Sequence, residues 1–196
     1  VFTSLGNMVN PTETREALGS TQTSTSASQT PQQTGSPSPS ATEEKEPATP
    51  RLDGSFTRTV PSSTALMAES DATLGRLTDG DETSTWVSLA FGSANFGGLT
   101  DSFYLSAPLL DETTVNSLTI NPVSGTGGAF NVFASDNASI EGSQQIGSGT
   151  FAATGETTVE LDTDAQDGDT KYIIVQCTKA PRLTQTIVQG YPAGLR

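Results

Sequence analysis

Residues 77–86 read Leu77-Thr78-Asp79-Gly80-Asp81-Glu82-Thr83-Ser84-Thr85-Trp86, and the fold follows from how this stretch is read. Asp79-Gly80 signals a turn, because glycine accepts a positive φ and an aspartate side chain bonds its own backbone. Acidic and hydroxyl side chains follow without a break up to Trp86, the single tryptophan of the chain. An indole beside a tight polar loop plugs the end of a hydrophobic core while the loop crosses over it. The same loop crowds oxygen atoms at the close spacing that a hard cation needs.

Downstream, short runs alternate between apolar and polar residues and are separated by Gly, Asn, Asp and Ser clusters, the pattern of an all-β sandwich or barrel. Residues 55–60 read as a first strand closed by Pro61. Residues 65–77, with Leu66, Met67, Ala68, Leu74 and Leu77, match a helix weakly and read equally as a strand edge and loop. Residues 87–96 are apolar but broken by Gly92 and followed by Gly97-Gly98. Residues 102–105 read as a strand ending before Pro108. Strand 115–120 puts Leu118 and Ile120 on one face with Asn116, and strand 129–135 gathers Phe130, Val132 and Ala134; the glycine-rich segment 125–128 turns between them. Residues 157–162 alternate cleanly, Val159 and Leu161 inward, Glu160 and Asp162 outward. After the turn Asp167-Gly168-Asp169, residues 171–178 form the most apolar run and the predicted central strand, with Ile173, Val175 and Cys177 on one face and Tyr172, Ile174 and Gln176 on the other. Residues 182–189 are the last strand candidate. Tyr191-Pro192-Ala193-Gly194 reads as a loop, and Leu195-Arg196 as the start of a further strand, which predicts a final strand cut short.

Upstream the composition changes. Residues 11–51 are rich in Ser, Thr and Pro and too poor in apolar side chains to offset the entropy of ordering them. They are expected to form a disordered tether, spanning roughly 35 Å as a coil and up to about 120 Å if extended. Such a composition suits an O-glycosylated stalk or a passive linker. Residues 1–10 are moderately apolar, with two readings: the outer end of a transmembrane helix, or a short frayed segment. Residues 52–196 match one ordinary domain with a single core.

The chain of 196 residues holds no histidine and one cysteine, with a formal net charge of −13. The missing imidazole excludes Ser-His and Cys-His catalysis and histidine metal sites. A single thiol excludes an intrachain disulfide. The acidic balance argues against nucleic acid and anionic membrane surfaces as direct partners, and it is compatible with divalent cations or neutral ligands.

The segment 77–86, an Asp-Gly followed by Asp, Thr and Trp, resembles the opening of discoidin-like, or galactose-binding-like, jelly-roll β-sandwiches. The later strand order, through 115–120, 129–135 and 171–178, is similar to theirs, so the resemblance covers about residues 55–196. More narrowly, an apolar start, a Ser/Thr/Pro spacer and such a terminal domain resemble the C-terminal extracellular part of actinobacterial MviN/MurJ-type proteins, flippases of lipid-linked peptidoglycan precursors. The resemblance implies a non-catalytic binding module on the outer side of the cell membrane. Its partners would be cell-wall glycan or envelope proteins, and it would be tethered to the membrane through the parent protein. The alternative is a structural or protein-interaction module of the envelope with no small ligand.

The resemblance further implies a structural calcium held by Asp79, Asp81 and Thr85 with backbone carbonyls near Arg76; no other cofactor is implied. The family usually adds a Glu from the last strand, and none follows Arg182 here. The competing reading is a turn closed by aspartate-to-backbone bonds. Trp86 reads as a sugar-stacking platform or as a core plug; burial is the usual fate of a lone tryptophan, and the resemblance puts it in the core. Cys177 lies on an apolar strand face, where a thiol behaves as a small hydrophobe. Asp162, Asp164, Asp167 and Asp169 cluster in a turn-rich stretch that reads as a solvated face, not as the buried pair glycoside hydrolysis needs. Asn137-Ala138-Ser139 matches a glycosylation sequon, of little meaning in a bacterial protein. Residues 92–100 and 121–128 are the candidate ligand loops.

Overall fold

The computed structural model describes residues 50–122, 125–153, 155–166, 170–183 and 191–195. The expectations for residues 1–10, nearly all of the tether 11–51, Asp167, Asp169 and most of strand 182–189 lie outside them. The described part is the expected β-sandwich. One layer is a five-stranded antiparallel sheet. It comprises β1 (Thr57–Thr59), β3 (Phe103–Pro108), β9 (Tyr172–Lys179), β6 (Ala129–Ser135) and β7 (Gln144–Gly149), in that spatial order. Facing it are the pairs β2 (Trp86–Phe91) with β11 (Tyr191–Leu195), β4 (Ser117–Ile120) with β8 (Thr157–Glu160), and β5 (Gly125–Thr126) with β10 (Arg182–Leu183).

β9 is the centre of the large sheet, flanked by β3 and β6, as its apolar sequence predicts. Ile173, Val175 and Cys177 point into the core and Ile174 is buried on the opposite face. Strand β6 has the predicted bounds, and Phe130, Val132 and Ala134 share the buried face. Burial pushes the Cys177 thiol up to about 12, so at neutral pH it is the inert, protonated hydrophobe its strand position implies.

Four local readings are corrected. Residues 68–77 form a 3-10 helix (Ala68–Leu77) that buries Leu74 and Leu77 and is entered through Met67 at a φ of 69°. Strand β3 runs through to Pro108, which pairs with Tyr172 at the strand end and so interrupts no interior ladder. β7 was not legible as a strand. Its glycines look like turn signals, yet a Cβ at Gly149 would sit 2.6 Å from the Phe130 ring and one at Gly147 would sit 2.7 Å from Leu161. Glycine is there because the neighbouring side chains occupy that space. Finally, the supposed loop 191–194 belongs to strand β11, which pairs with β2 from Tyr191↔Phe91 to Leu195↔Trp86 with a register shift between Pro192 and Gly194.

The register defines two ends. At one end lie Pro108, Tyr172, Ser135 and Gln144, and from it spring the connections 109–116, 136–143 and 161–171. At the other lie Phe103, Lys179, Ala129 and Gly149, with the connections 92–102, 121–128 and 150–156.

Candidate functional site

Trp86 is fully buried, its ring 6.1 Å from that of Phe103, and its indole N–H donates to the Ser70 carbonyl at 2.9 Å. This is the core plug, with its one polar atom satisfied by the 3-10 helix. The loop before it closes on its own side chains. Asp79 accepts from the Asp81 N–H at 2.9 Å and from the Ser84 hydroxyl at 2.6 Å. Asp81 accepts from the Thr83 N–H at 2.8 Å and the Thr83 hydroxyl at 2.6 Å. The Ser84 hydroxyl, then the Asp81 N–H, hold the Asp79 carboxyl below its usual range; the Thr83 hydroxyl and N–H do the same for Asp81.

The oxygens the calcium reading needs are thus brought near one another, and most of them already accept hydrogen bonds within the loop. The Thr85 carbonyl accepts from the Arg76 guanidinium at 3.3 Å, and the Arg76 carbonyl faces the Ser84 hydroxyl at 3.5 Å. Among the described residues no three Cys, Asp or Glu side chains are grouped to hold a metal ion. A Cβ on Gly54 would meet the Thr78 hydroxyl at 3.3 Å, and Asp53 donates its N–H to Pro108, so the start of this loop lies at the 109–116 end.

That end is acidic. Asp111, Glu112, Asp136, Glu141, Asp162 and Asp164 are all exposed there. Its connections are knitted by Gln166, whose side chain both accepts from the Val115 N–H at 2.9 Å and donates to the Val115 carbonyl at 2.8 Å. Between Ser135, Asp136, Gln144, Gln166 and Thr170 lies a hollow of about 80 Å³. Ligand pockets run from about 300 Å³ upward, so this one takes water and little else.

At the opposite end both candidate ligand loops lie against the segment that follows β9. Ala180 donates its N–H to the Ala94 carbonyl at 2.8 Å, which ties loop 92–100 to the end of β9. Gly128 lies against the same segment: a Cβ there would be 2.8 Å from the Pro181 nitrogen, 2.9 Å from the Lys179 carbonyl and 3.0 Å from Phe151. Loop 92–100 is also anchored from below. Phe96 is fully buried, edge-on to Phe91 at 5.2 Å and to Phe103 at 5.7 Å, and holds a φ of 53°, which only a strongly seated side chain sustains outside glycine. The anchor leaves Gly97, Gly98 and Leu99 exposed at the rim, with Leu99 57% accessible. Sequence reasoning named the two loops but not Phe96, whose place beside Gly97-Gly98 reads as an ordinary loop residue.

Neither a family model nor a curated protein matches the chain. Among solved structures it is similar to chitosan-binding module 1 derived from a chitosanase/glucanase of Paenibacillus sp. IK-5. The similarity spans 74% of this chain and 91% of that one, at 19% identity and a TM-score of 0.47. At that identity and score, nothing about this chain's ligand follows from it.

Proposed function

We propose that the chain is a non-catalytic binding module of the cell envelope, recognising cell-wall glycan with the end formed by loops 92–100 and 121–128. It would act outside the membrane, tethered through residues 11–51 to a MviN/MurJ-type flippase. The convergence of the two loops on the Lys179–Pro181 segment carries this reading. An anchored, glycine-rich rim presents backbone groups and Leu99 to solvent without a deep pocket, which suits an extended polymer laid across it. No Asp or Glu is among the buried residues described. The tether and the parent protein rest on the resemblance of composition and of residues 77–86.

Affinity electrophoresis against peptidoglycan fragments, soluble β-glucan and acidic polysaccharides tests this. Retardation by at least one glycan is expected, weakened about tenfold or more when Leu99→Asp is introduced at the rim. Equal mobility in every glycan gel removes the reading. A protein-interaction face is the second reading, favoured by Val87 and Leu89, each 45% exposed on the solvent side of β2. The pair Val87→Ser, Leu89→Ser separates the two: it abolishes a protein contact there and leaves glycan retardation unchanged.

A further inference from the structure

We infer that the ligand of this end is an acidic polysaccharide whose carboxylate-bearing sugars are met by Lys179 and Arg182. The inference rests on the glycan reading just given and narrows it to a class of ligand. The chain has 22 acidic residues against 9 basic ones, so a cation should find a carboxylate nearly everywhere on its surface. The described cations of the acidic end do: Arg51 pairs with Asp111 at 3.4 Å and Lys171 with Glu112 at 3.3 Å. Arg58, its side chain buried, pairs with Asp71, and Arg76 donates to the Thr85 carbonyl with its charge acting on the Asp79 carboxylate. Lys179 and Arg182 are exposed and have no carboxylate within ion-pair reach among the described residues.

The neighbouring sequence is poor in carboxylates. No Asp or Glu occurs in 92–100, in 121–128, in 150–155, or anywhere from 170 to 196. Asp101 and Glu156 stand only at the borders of these loops. The acid-rich end lies a full strand away. β9 has 8 residues, which places those charges about 25 Å off, beyond the roughly 8 Å over which salt lets them act.

The two cations are also held on fixed backbone. Lys179 closes β9, Arg182 pairs with Thr126 across β5 and β10, and Ala180 between them is bonded to Ala94. Three residues of chain put their Cα atoms at most about 10 Å apart. An arginine fork takes a carboxylate through two parallel N–H bonds and a lysine takes one as a point charge. The exposed glycine backbone beside them is left for hydroxyls. Two cations in a strongly negative chain suit a polymer with sparse carboxylates. Nucleic acid, with a charge at every phosphate, needs many more contacts than two.

The test uses the whole chain and hyaluronate, whose carboxylates fall on alternate sugars, as the probe, against its methyl-esterified form and a neutral β-glucan, at about 50 and 300 mM salt. The acid form is expected to bind at least about tenfold tighter than the ester, with the difference shrinking in high salt. Lys179→Ala with Arg182→Ala should remove that difference, and Arg51→Ala with Lys171→Ala at the far end should leave it intact. Equal binding of acid and ester, or an unchanged preference in the Lys179/Arg182 variant, overturns the inference while the glycan reading stands. Failure to bind any polysaccharide overturns both.

Discussion

The two ends of this sandwich are built from the same strands and differ in almost everything else. At one, the connections 109–116, 136–143 and 161–171 are studded with carboxylates and knitted by side chains such as Gln166. At the other, loops with acidic residues only at their borders, Asp101 and Glu156, are fastened by backbone contacts and by one phenylalanine driven into the core. The acidic end holds its shape through side-chain hydrogen bonds, the Gln166–Val115 pair among them buried, and each contributes modestly. The neutral end holds its shape through burial, which leaves its rim backbone free to meet a ligand. Pre-organisation of that kind reduces the ordering cost of binding.

The contrast is broken most directly at Phe96. Phe96→Ala should cost about 3–5 kcal/mol, because a ring seated between Phe91 and Phe103 is lost and loop 92–100 loses its anchor. Urea unfolding measures this; a loss under about 1 kcal/mol means the ring is not a core residue.

A matched glycine pair comes next. Gly128→Ala at the neutral end forces a Cβ against the backbone of Lys179 and Pro181 at a φ of 83°, and should cost about 3 kcal/mol. Gly142→Ala at the acidic end has a φ of 76° and open space around the new Cβ, so only the conformational cost of about 1 kcal/mol remains. Equal losses in the two variants would show that the neutral end is not fastened at Gly128.

The smallest effects belong to the loop 79–85. Asp79 and Asp81 have carboxyls lowered by hydrogen bonds, so folding binds fewer protons there than unfolding. The stability they contribute is present above the ordinary carboxylate range and is lost as pH falls through their lowered values. Asp81→Asn should therefore be less stable than the parent near neutral pH, with the gap closing in acid; a gap that widens in acid reverses the sign. Calcium tests the same loop. Most of its oxygens are engaged by Ser84, Thr83 and Arg76, so millimolar calcium is expected to leave the melting temperature unchanged. A rise that Asp79→Asn abolishes would establish the metal site.

How much of this was legible follows from what each signal encodes. Strands with both apolar alternation and length announced themselves: β6 and β9 were read nearly to the residue, and Trp86 and Cys177 were placed in the core. β7 and β11 were missed because Gly147, Gly149, Pro192 and Gly194 are turn residues by local preference. Ladder pairing overrode that preference at both. The two candidate loops were legible as loops; that they share an end, and that Phe96 pins one of them, was not.

By itself the sequence determined the all-β class, the central strand, the polar turn before the indole and the absence of imidazole chemistry, since each depends on residue type and on spacing within one short segment. Only the tertiary structure decided which loops share an end, which described cations and carboxylates pair and where a glycine makes room for a neighbour's ring. Those properties depend on pairs of residues far apart in the chain, and nothing local records which distant segment will lie alongside.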